Sequence, residues 1–236
     1  MKKIIKAILW DFDGTLLNST PESMENMIWV AKQLGLEIPT IELLQKYWGI
    51  LWFEFIKIIA HDCYWEDGSV NQFANKCREN KERWRNHQFF EGTEETLDIL
   101  ISQGVKNGII STRIKDSAGG DLFSITDYFK LLGVDPNVFF FIQGREDCPY
   151  VKPNPRVFDL VLAKLKEQDI APDEVVYVGD TMHDFWAAKN YVPSLSFIAI
   201  TSGACNADQF LLAKVSQECI INSPQGIFEA IKFLEN

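Results

Sequence analysis

Histidine is scarce in this chain, and positive charge is outnumbered. Only His61, His87 and His183 occur, widely separated, which argues against a histidine-built metal centre. Lys and Arg together number 23 against 33 Asp and Glu, a net charge of −10. An acidic surface repels nucleic-acid phosphates and anionic lipid heads, so the expected partners include neither nucleic acid nor membrane. The five cysteines, Cys63, Cys77, Cys148, Cys205 and Cys219, are odd in number, and no pair has the two-residue gap of a zinc or redox motif. They read as reduced thiols. No stretch has the length and apolarity of a membrane span, and residues 1–10 are too short and too charged for a signal peptide. A cytoplasmic location is the expectation. Internal repeats and low-complexity tracts are also missing.

What is present is a 236-residue chain, 47% hydrophobic, enough for one large core with a smaller attached unit. Short apolar runs at 4–10, 106–110, 175–178 and 196–200, with a fifth at 138–142, suit strands buried on both faces of a parallel sheet. Helical patterns fall between them at 93–103, 155–168, 184–190, 207–215 and 224–234. This alternation predicts a doubly wound, Rossmann-like α/β core. Residues 18–86 break the rhythm. They show helical periodicity at 21–34, 41–59 and 70–84 without a strand between, and they hold Trp29, Trp48, Trp52, Trp65 and Trp84. The expected organisation is a core of 1–17 and 87–236 with a small all-helical unit, 18–86, inserted after the first strand.

Polar residues follow three of the predicted strands, each at the carboxyl end. Asp11-Phe12-Asp13-Gly14-Thr15 places two carboxylates two apart, with Phe12 turned to the core and Gly14 permitting a sharp exit. One acid can attack phosphorus while the other exchanges a proton with the leaving oxygen and then with water. Gly179-Asp180-Thr181-Met182-His183-Asp184 sets two acids four apart at a helix start, which suits a hard cation; capping explains one of them well and the pair poorly. Ser111-Thr112 offers hydroxyls and backbone N–H groups to phosphoryl oxygens. Lys152 lies in Val151-Lys152-Pro153-Asn154-Pro155, where two prolines stiffen the approach to the next helix. In an open α/β sheet the carboxyl ends of the strands converge on the ligand crevice.

These four elements, in this order, resemble the motifs of the haloacid dehalogenase superfamily, and most closely its phosphoglycolate-phosphatase-like group. The helical insertion resembles that superfamily's C1 cap. The resemblance implies a central strand order of 3-2-1-4-5, with the strands before Asp11 and Asp180 adjacent. It implies hydrolysis of a small-molecule phosphate ester, with Asp11 as nucleophile and Asp13 as acid and base. Ser111, Thr112 and Lys152 would hold the phosphoryl group. Magnesium is expected on Asp11, the backbone carbonyl of Asp13 and Asp180, with Asp184 supporting through water or by orienting Lys152. Thr112 stands where relatives often carry asparagine. The alternatives are a sugar phosphomutase, a phosphonate hydrolase needing a cap lysine (Lys46 or Lys57), and a catalytically silent binding module; a dehalogenase is disfavoured by the acid at Asp13. His183 reads as a solvent-facing helix-start residue, residues 115–122 either as a loop at the site's rim or as a surface insertion, and the aromatics around Gly49 mostly as packing, with one or two facing the site. Composition and motifs leave the oligomeric state and the particular ester open.

Overall fold

A computed structural model describes residues 3–66, 68–80, 83, 85–117, 123–191 and 195–236. Six strands form one parallel sheet: β1 (Ala7–Trp10), β2 (Lys106–Ile110), β3 (Phe141–Gln143), β4 (Val175–Gly179), β5 (Ser196–Ile200) and β6 (Ile220–Ile221). Their spatial order is β3-β2-β1-β4-β5-β6. The five-strand order implied by the resemblance is therefore present, extended by a sixth strand too short to register as an apolar run. Val138 lies in a 3-10 turn, Pro136–Val138, and the strand begins at Phe141 instead.

Alternate residues of each central strand feed opposite faces of the sheet, as the period of two requires. Ile8 and Trp10 enter one apolar cluster with Val176 and Val178, whereas Ala7 and Leu9 enter the other with Val175 and Tyr177. Both faces are covered by helices: α5 (Thr93–Ser102), α6 (Ile125–Leu132), α7 (Asp159–Lys166), α8 (Met182–Asn190), α9 (Ala207–Leu212) and α10 (Ile227–Leu234). Four helices precede these in the chain, α1 (Thr20–Gln33), α2 (Ile41–Tyr47), α3 (Trp52–Asp62) and α4 (Ser69–Glu79). The predicted helix 155–168 opens as a 3-10 turn, Pro155–Phe158, before α7 continues it.

Helices α1–α4 bury a third cluster, built on Met24, Met27, Val30, Phe55, Ile56, Ile59 and Phe73, with Ala204 from the other side. The periodicity over 41–59 is interrupted. Trp48 and Leu51 take extended backbone angles, and Gly49 has φ +94, a left-handed conformation that glycine adopts at least cost. The break lets a loop, rather than a helix, lie against the start of α8, so close that a Cβ on Gly49 would meet the Thr181 side chain at 3.1 Å. Trp84 and residues 118–122 of the predicted rim loop lie outside the described residues.

Register places the chemistry. Trp10 pairs with Ile109 on one side and Val178 on the other, so the three strands end at the same level. Asp11, Ser111 and Asp180 are the first residues beyond or near that level, and the Asp11 N–H still donates to the Val178 carbonyl at 2.8 Å.

Phe73 is fully buried in the helical cluster and packs 4.7 Å, centroid to centroid, from the Trp65 ring. Phe73→Ala should cost about 3–5 kcal/mol of stability through the cavity it leaves, read from urea unfolding. An unchanged midpoint would show that the α1–α4 cluster does not melt with the rest of the chain.

Candidate active site

Asp11 leaves β1 buried among charges. Its Oδ1 accepts from the Lys152 ammonium at 2.6 Å, and the same ammonium donates to Asp184 Oδ1 at 2.6 Å and to the Tyr177 hydroxyl at 3.0 Å. Tyr177 in turn donates to Asp184 Oδ1 at 2.7 Å. All four side chains are buried. Burial pushes the Asp11 carboxyl up to about 7 against the pull of Lys152, with the Asp184 charge adding to the rise. Burial alone would depress Lys152, but its two carboxylate partners hold it well above the usual lysine value.

Asp184 has no oxygen to spare. Oδ2 accepts from the Thr181 backbone N–H at 3.0 Å and from the Thr181 hydroxyl, closing the capping box that starts α8. Burial raises its proton affinity, yet Lys152, Thr181 and Tyr177 together hold it below the normal carboxylate range. A single carboxylate thus caps a helix and anchors the lysine.

Asp180 is less well provided for. It accepts from the Ala204 N–H at 2.8 Å and from the Thr15 hydroxyl at 3.4 Å. Burial, then the charges of Asp11 and Asp184, lift its carboxyl well above the ordinary value. Gly14, at φ +78, passes so close that a Cβ there would overlap the Asp180 carboxylate. The turn after Asp13 therefore requires glycine on two counts. Oxygens of Asp11, Asp180 and Asp184 lie within 4.8 Å of one another, an all-oxygen donor set of the kind a hard divalent cation prefers. Asp180, with one N–H and one long hydroxyl contact beside two other carboxylates, is the group that such an ion would satisfy, so the residues present fit magnesium.

Asp13 is held differently. Arg113 grips it in a two-pronged ion pair, Nε to Oδ2 at 2.8 Å and Nη2 to Oδ1 at 2.7 Å, and the Ser19 hydroxyl also donates to Oδ1. Arg113 Nη1 donates to the Phe123 carbonyl at 2.6 Å, and the guanidinium lies 5.1 Å from the centre of the Tyr128 ring. Burial works against the charged form of Asp13, but Arg113 and Ser19 hold its carboxyl below the usual range. Ser111 is buried at the end of β2, and its oxygen accepts from the Arg113 backbone N–H at 3.1 Å, leaving the hydroxyl proton free to be donated. Thr112 is half-buried and borders, with Ser111, Gln143 and Lys152, a cavity of about 10 Å³ behind the site. A larger groove of about 400 Å³, bordered by Gln88, Phe90, Thr93, Glu94 and Glu95, contains none of the strand-end carboxylates.

Asp11, Asp13, Ser111, Lys152, Asp180 and Asp184 therefore gather at one end of the sheet. Sequence reasoning missed Arg113, Tyr177 and Ser19. Arg113 carried a signal, since it directly follows the two hydroxyl residues read as phosphate holders. Tyr177 had a weaker one: a phenol inside a run buried on both faces needs a partner for its hydroxyl. His183 is half-buried rather than solvent-facing. Its Nδ1 lies 3.1 Å from the Trp48 carbonyl, because the α2–α3 loop covers the start of α8. Lys57 is exposed, pairs with Glu54 and is not part of this cluster. The five cysteines are all free and buried, and burial raises Cys77 to about 12 and Cys205 to about 11, which leaves them poor nucleophiles.

The doubly wound sheet thus carries a buried carboxylate cluster, a lysine and a hydroxyl at its carboxyl end, the frame and donor set of an α/β enzyme. The chain belongs to the haloacid dehalogenase-like hydrolases, whose family model matches residues 8–195. It is 29% identical over 197 residues to the pyrophosphatase PpaX of Bacillus velezensis, covering 80% of each chain. It is 24% identical over 195 residues to the phosphoglycolate phosphatase of Thiobacillus denitrificans, covering 78% of this chain and 79% of that one. Among solved structures, a haloacid dehalogenase-like hydrolase from Bacteroides fragilis superposes with a TM-score of 0.74 at 26% identity, over 93% of this chain and 97% of the other.

His87 borders the site through Tyr128, whose hydroxyl lies 2.8 Å from its Nδ1. Burial, reinforced by the Arg113 charge, lowers the imidazole to about 4 from an ordinary 6.5. Between those two values the unfolded chain takes up a proton here that the folded chain refuses. Stability at this position therefore falls as pH is lowered from about 6.5 towards 4. Urea midpoints at pH 7 and pH 5 should differ less in His87→Gln than in the wild type; an equal difference would remove His87 as a source of acid sensitivity.

Proposed function

We propose that the chain is a magnesium-dependent phosphatase that hydrolyses a small-molecule phosphate monoester through a phosphoryl group carried on Asp11. The observation that carries this reading is the unequal treatment of the two acids of the Asp11-Phe12-Asp13 turn. Asp11 faces Lys152 within the metal-type cluster, as a nucleophile must. Asp13 lies outside that cluster in a more open position, about a quarter exposed, where a proton can be exchanged with a leaving group and with water. The names of the two curated relatives support a small phosphate compound as substrate.

In this reading Asp11 attacks phosphorus and displaces the leaving oxygen, which takes a proton from Asp13. Asp13 then draws a proton from the water that releases phosphate and restores Asp11. Lys152, held by Asp184 and Tyr177, offsets the charge that builds where carboxylate meets phosphate. Ser111 and Thr112 offer donors to the phosphoryl oxygens. Asp11, Asp180 and the Asp13 carbonyl would hold magnesium directly; Asp184, its oxygens occupied, would act through Lys152 or a water. The ion supplies positive charge, without which a carboxylate is repelled by a phosphate dianion. Residues 18–86 serve as the cap, with Ser19 at its start touching Asp13 and the 48–51 loop lying against the start of α8. A cytoplasmic setting fits the buried thiols, and no helix among the described residues is long and apolar enough to cross a membrane.

Phosphate release from a panel of esters should require magnesium, stop with EDTA and vanish in Asp11→Asn. Lys152→Met should retain only about 10⁻²–10⁻³ of the wild-type kcat. Normal turnover in Asp11→Asn would eliminate the covalent route. Isomerised sugar phosphate in place of free phosphate would move the assignment to a mutase.

Tyr177→Phe removes one hydroxyl shared by Lys152 and Asp184 and keeps the ring. The expected loss is about tenfold in kcat, corresponding to about 1.4 kcal/mol. An unaltered kcat would mean that Asp184 alone suffices to place the ammonium.

A further inference from the structure

His87 and Tyr128 are buried, polar and unused by the reaction described above. Their contacts run from α1 to the acid of the first turn. The Glu22 carboxylate of α1 stands 3.5 Å from His87 Nε2, and His87 Nδ1 lies 2.8 Å from the Tyr128 hydroxyl. The Tyr128 ring lies 5.1 Å from the Arg113 guanidinium carbon, and Arg113 grips both oxygens of Asp13. The path then closes on itself. The Ser19 hydroxyl donates to Asp13 Oδ1, and the Ser19 carbonyl accepts from the Ser23 N–H in the first turn of α1, which also carries Glu22.

We propose that His87 is a positioning residue for the acid step. Through Tyr128 and Arg113 it holds the Asp13 carboxylate in the orientation that reaches the leaving oxygen. This rests on the phosphatase reading, in which Asp13 protonates that oxygen.

Each link has a physical cause. The chain next to His87 is pinned to the exit of the first turn: the Asn18 N–H donates to the Gln88 carbonyl at 2.8 Å, and the Phe90 N–H donates to the Leu16 carbonyl at 2.9 Å. The imidazole is thus fixed by its backbone as well as by its neighbours. A carboxylate beside Nε2 favours the ring proton there, which leaves Nδ1 to accept from the Tyr128 hydroxyl. The two rings are stacked, 19° apart with centroids at 5.8 Å, so the tyrosine has little room to swing. Tyr128 supplies a π face to the guanidinium, and the Phe123 carbonyl takes Nη1. A planar cation held on its face and at one end presents its remaining edge at a fixed angle. Asp13 needs that edge. Its side chain is 23% exposed, so without a rigid partner it would sample several rotamers. Misplacing a reacting group by about 1 Å can cost about 10²-fold in rate.

The leaving group separates this role from simple packing. An acid matters when the leaving oxygen is a strong base and is dispensable when it is a weak one. The test measures kcat/KM, which ends at phosphoryl transfer, with magnesium and four esters: phenyl, 4-nitrophenyl and 2,4-dinitrophenyl phosphate, and the best alkyl ester of the panel above. Wild type is compared with Tyr128→Phe, His87→Phe and His87→Gln. Tyr128→Phe keeps the ring contacts with Phe12 and Phe123 and drops only the hydroxyl, which guards against misfolding. In Tyr128→Phe and His87→Phe the loss should be about tenfold for phenyl phosphate and the alkyl ester, and at most about twofold for 2,4-dinitrophenyl phosphate. His87→Gln, which can still accept from Tyr128, should regain most of it. A crystal structure of Tyr128→Phe should show Asp13 in more than one orientation. An equal loss across the series, no loss at all, or an Asp13 that keeps its wild-type contacts in Tyr128→Phe would overturn the proposal and leave the phosphatase reading intact. Release of phosphate from no ester by the wild type would overturn that reading, and this inference with it.

Discussion

Negative charge crowded into a small dry space governs this molecule. Asp11, Asp180 and Asp184 are buried with oxygens within 4.8 Å of one another, and Asp13 stands two residues from the first of them. Like charges so placed are tolerable only if each is answered locally. Asp184 is answered by Lys152, Tyr177 and Thr181, and Asp13 by Arg113 and Ser19. Asp180 is answered by one backbone N–H and a long hydroxyl contact. That imbalance is the structural argument for a cation. It also explains why rigid features surround the cluster, from the glycine turn beside Asp180 to the capping box that immobilises Asp184.

The sheet supplies the other half of the arrangement. With β1 between β2 and β4 and all three in parallel register, side chains just beyond the strand ends meet without any strand needing to bend. The pieces that surround the acids are less regular. Arg113 is on the loop leaving β2, Ser19 precedes α1, and the Gly49 loop interrupts what would otherwise be one long helix. Loops on a rigid frame can change without disturbing the acids beneath them.

The frame was legible in the sequence because both faces of the sheet are buried. Runs such as 106–110 and 196–200 are continuous in apolar character and end abruptly, so their boundaries matched the strands found. Asp11, Asp180 and Lys152 were legible because they follow such ends or sit between prolines. What stayed hidden depended on long-range pairing. Nothing local tells that Arg113 crosses 100 residues to reach Asp13, or that the Tyr177 hydroxyl serves a lysine rather than a core water. The two-residue β6 exists only because β5 offers it an edge. The break at 48–51 was masked by aromatics that keep helical spacing on both sides of Gly49, and His183 was misjudged because the chain that covers it is 135 residues away.

The Trp48 contact has a practical side. Its indole packs edge-on against Phe55 at 5.4 Å, while its carbonyl lies 3.1 Å from the His183 ring on the opposite layer of the molecule. One residue thus belongs to the helical layer by its side chain and to the catalytic layer by its backbone. A substitution of the Trp48 side chain would therefore loosen the helical layer while leaving in place the carbonyl that meets His183.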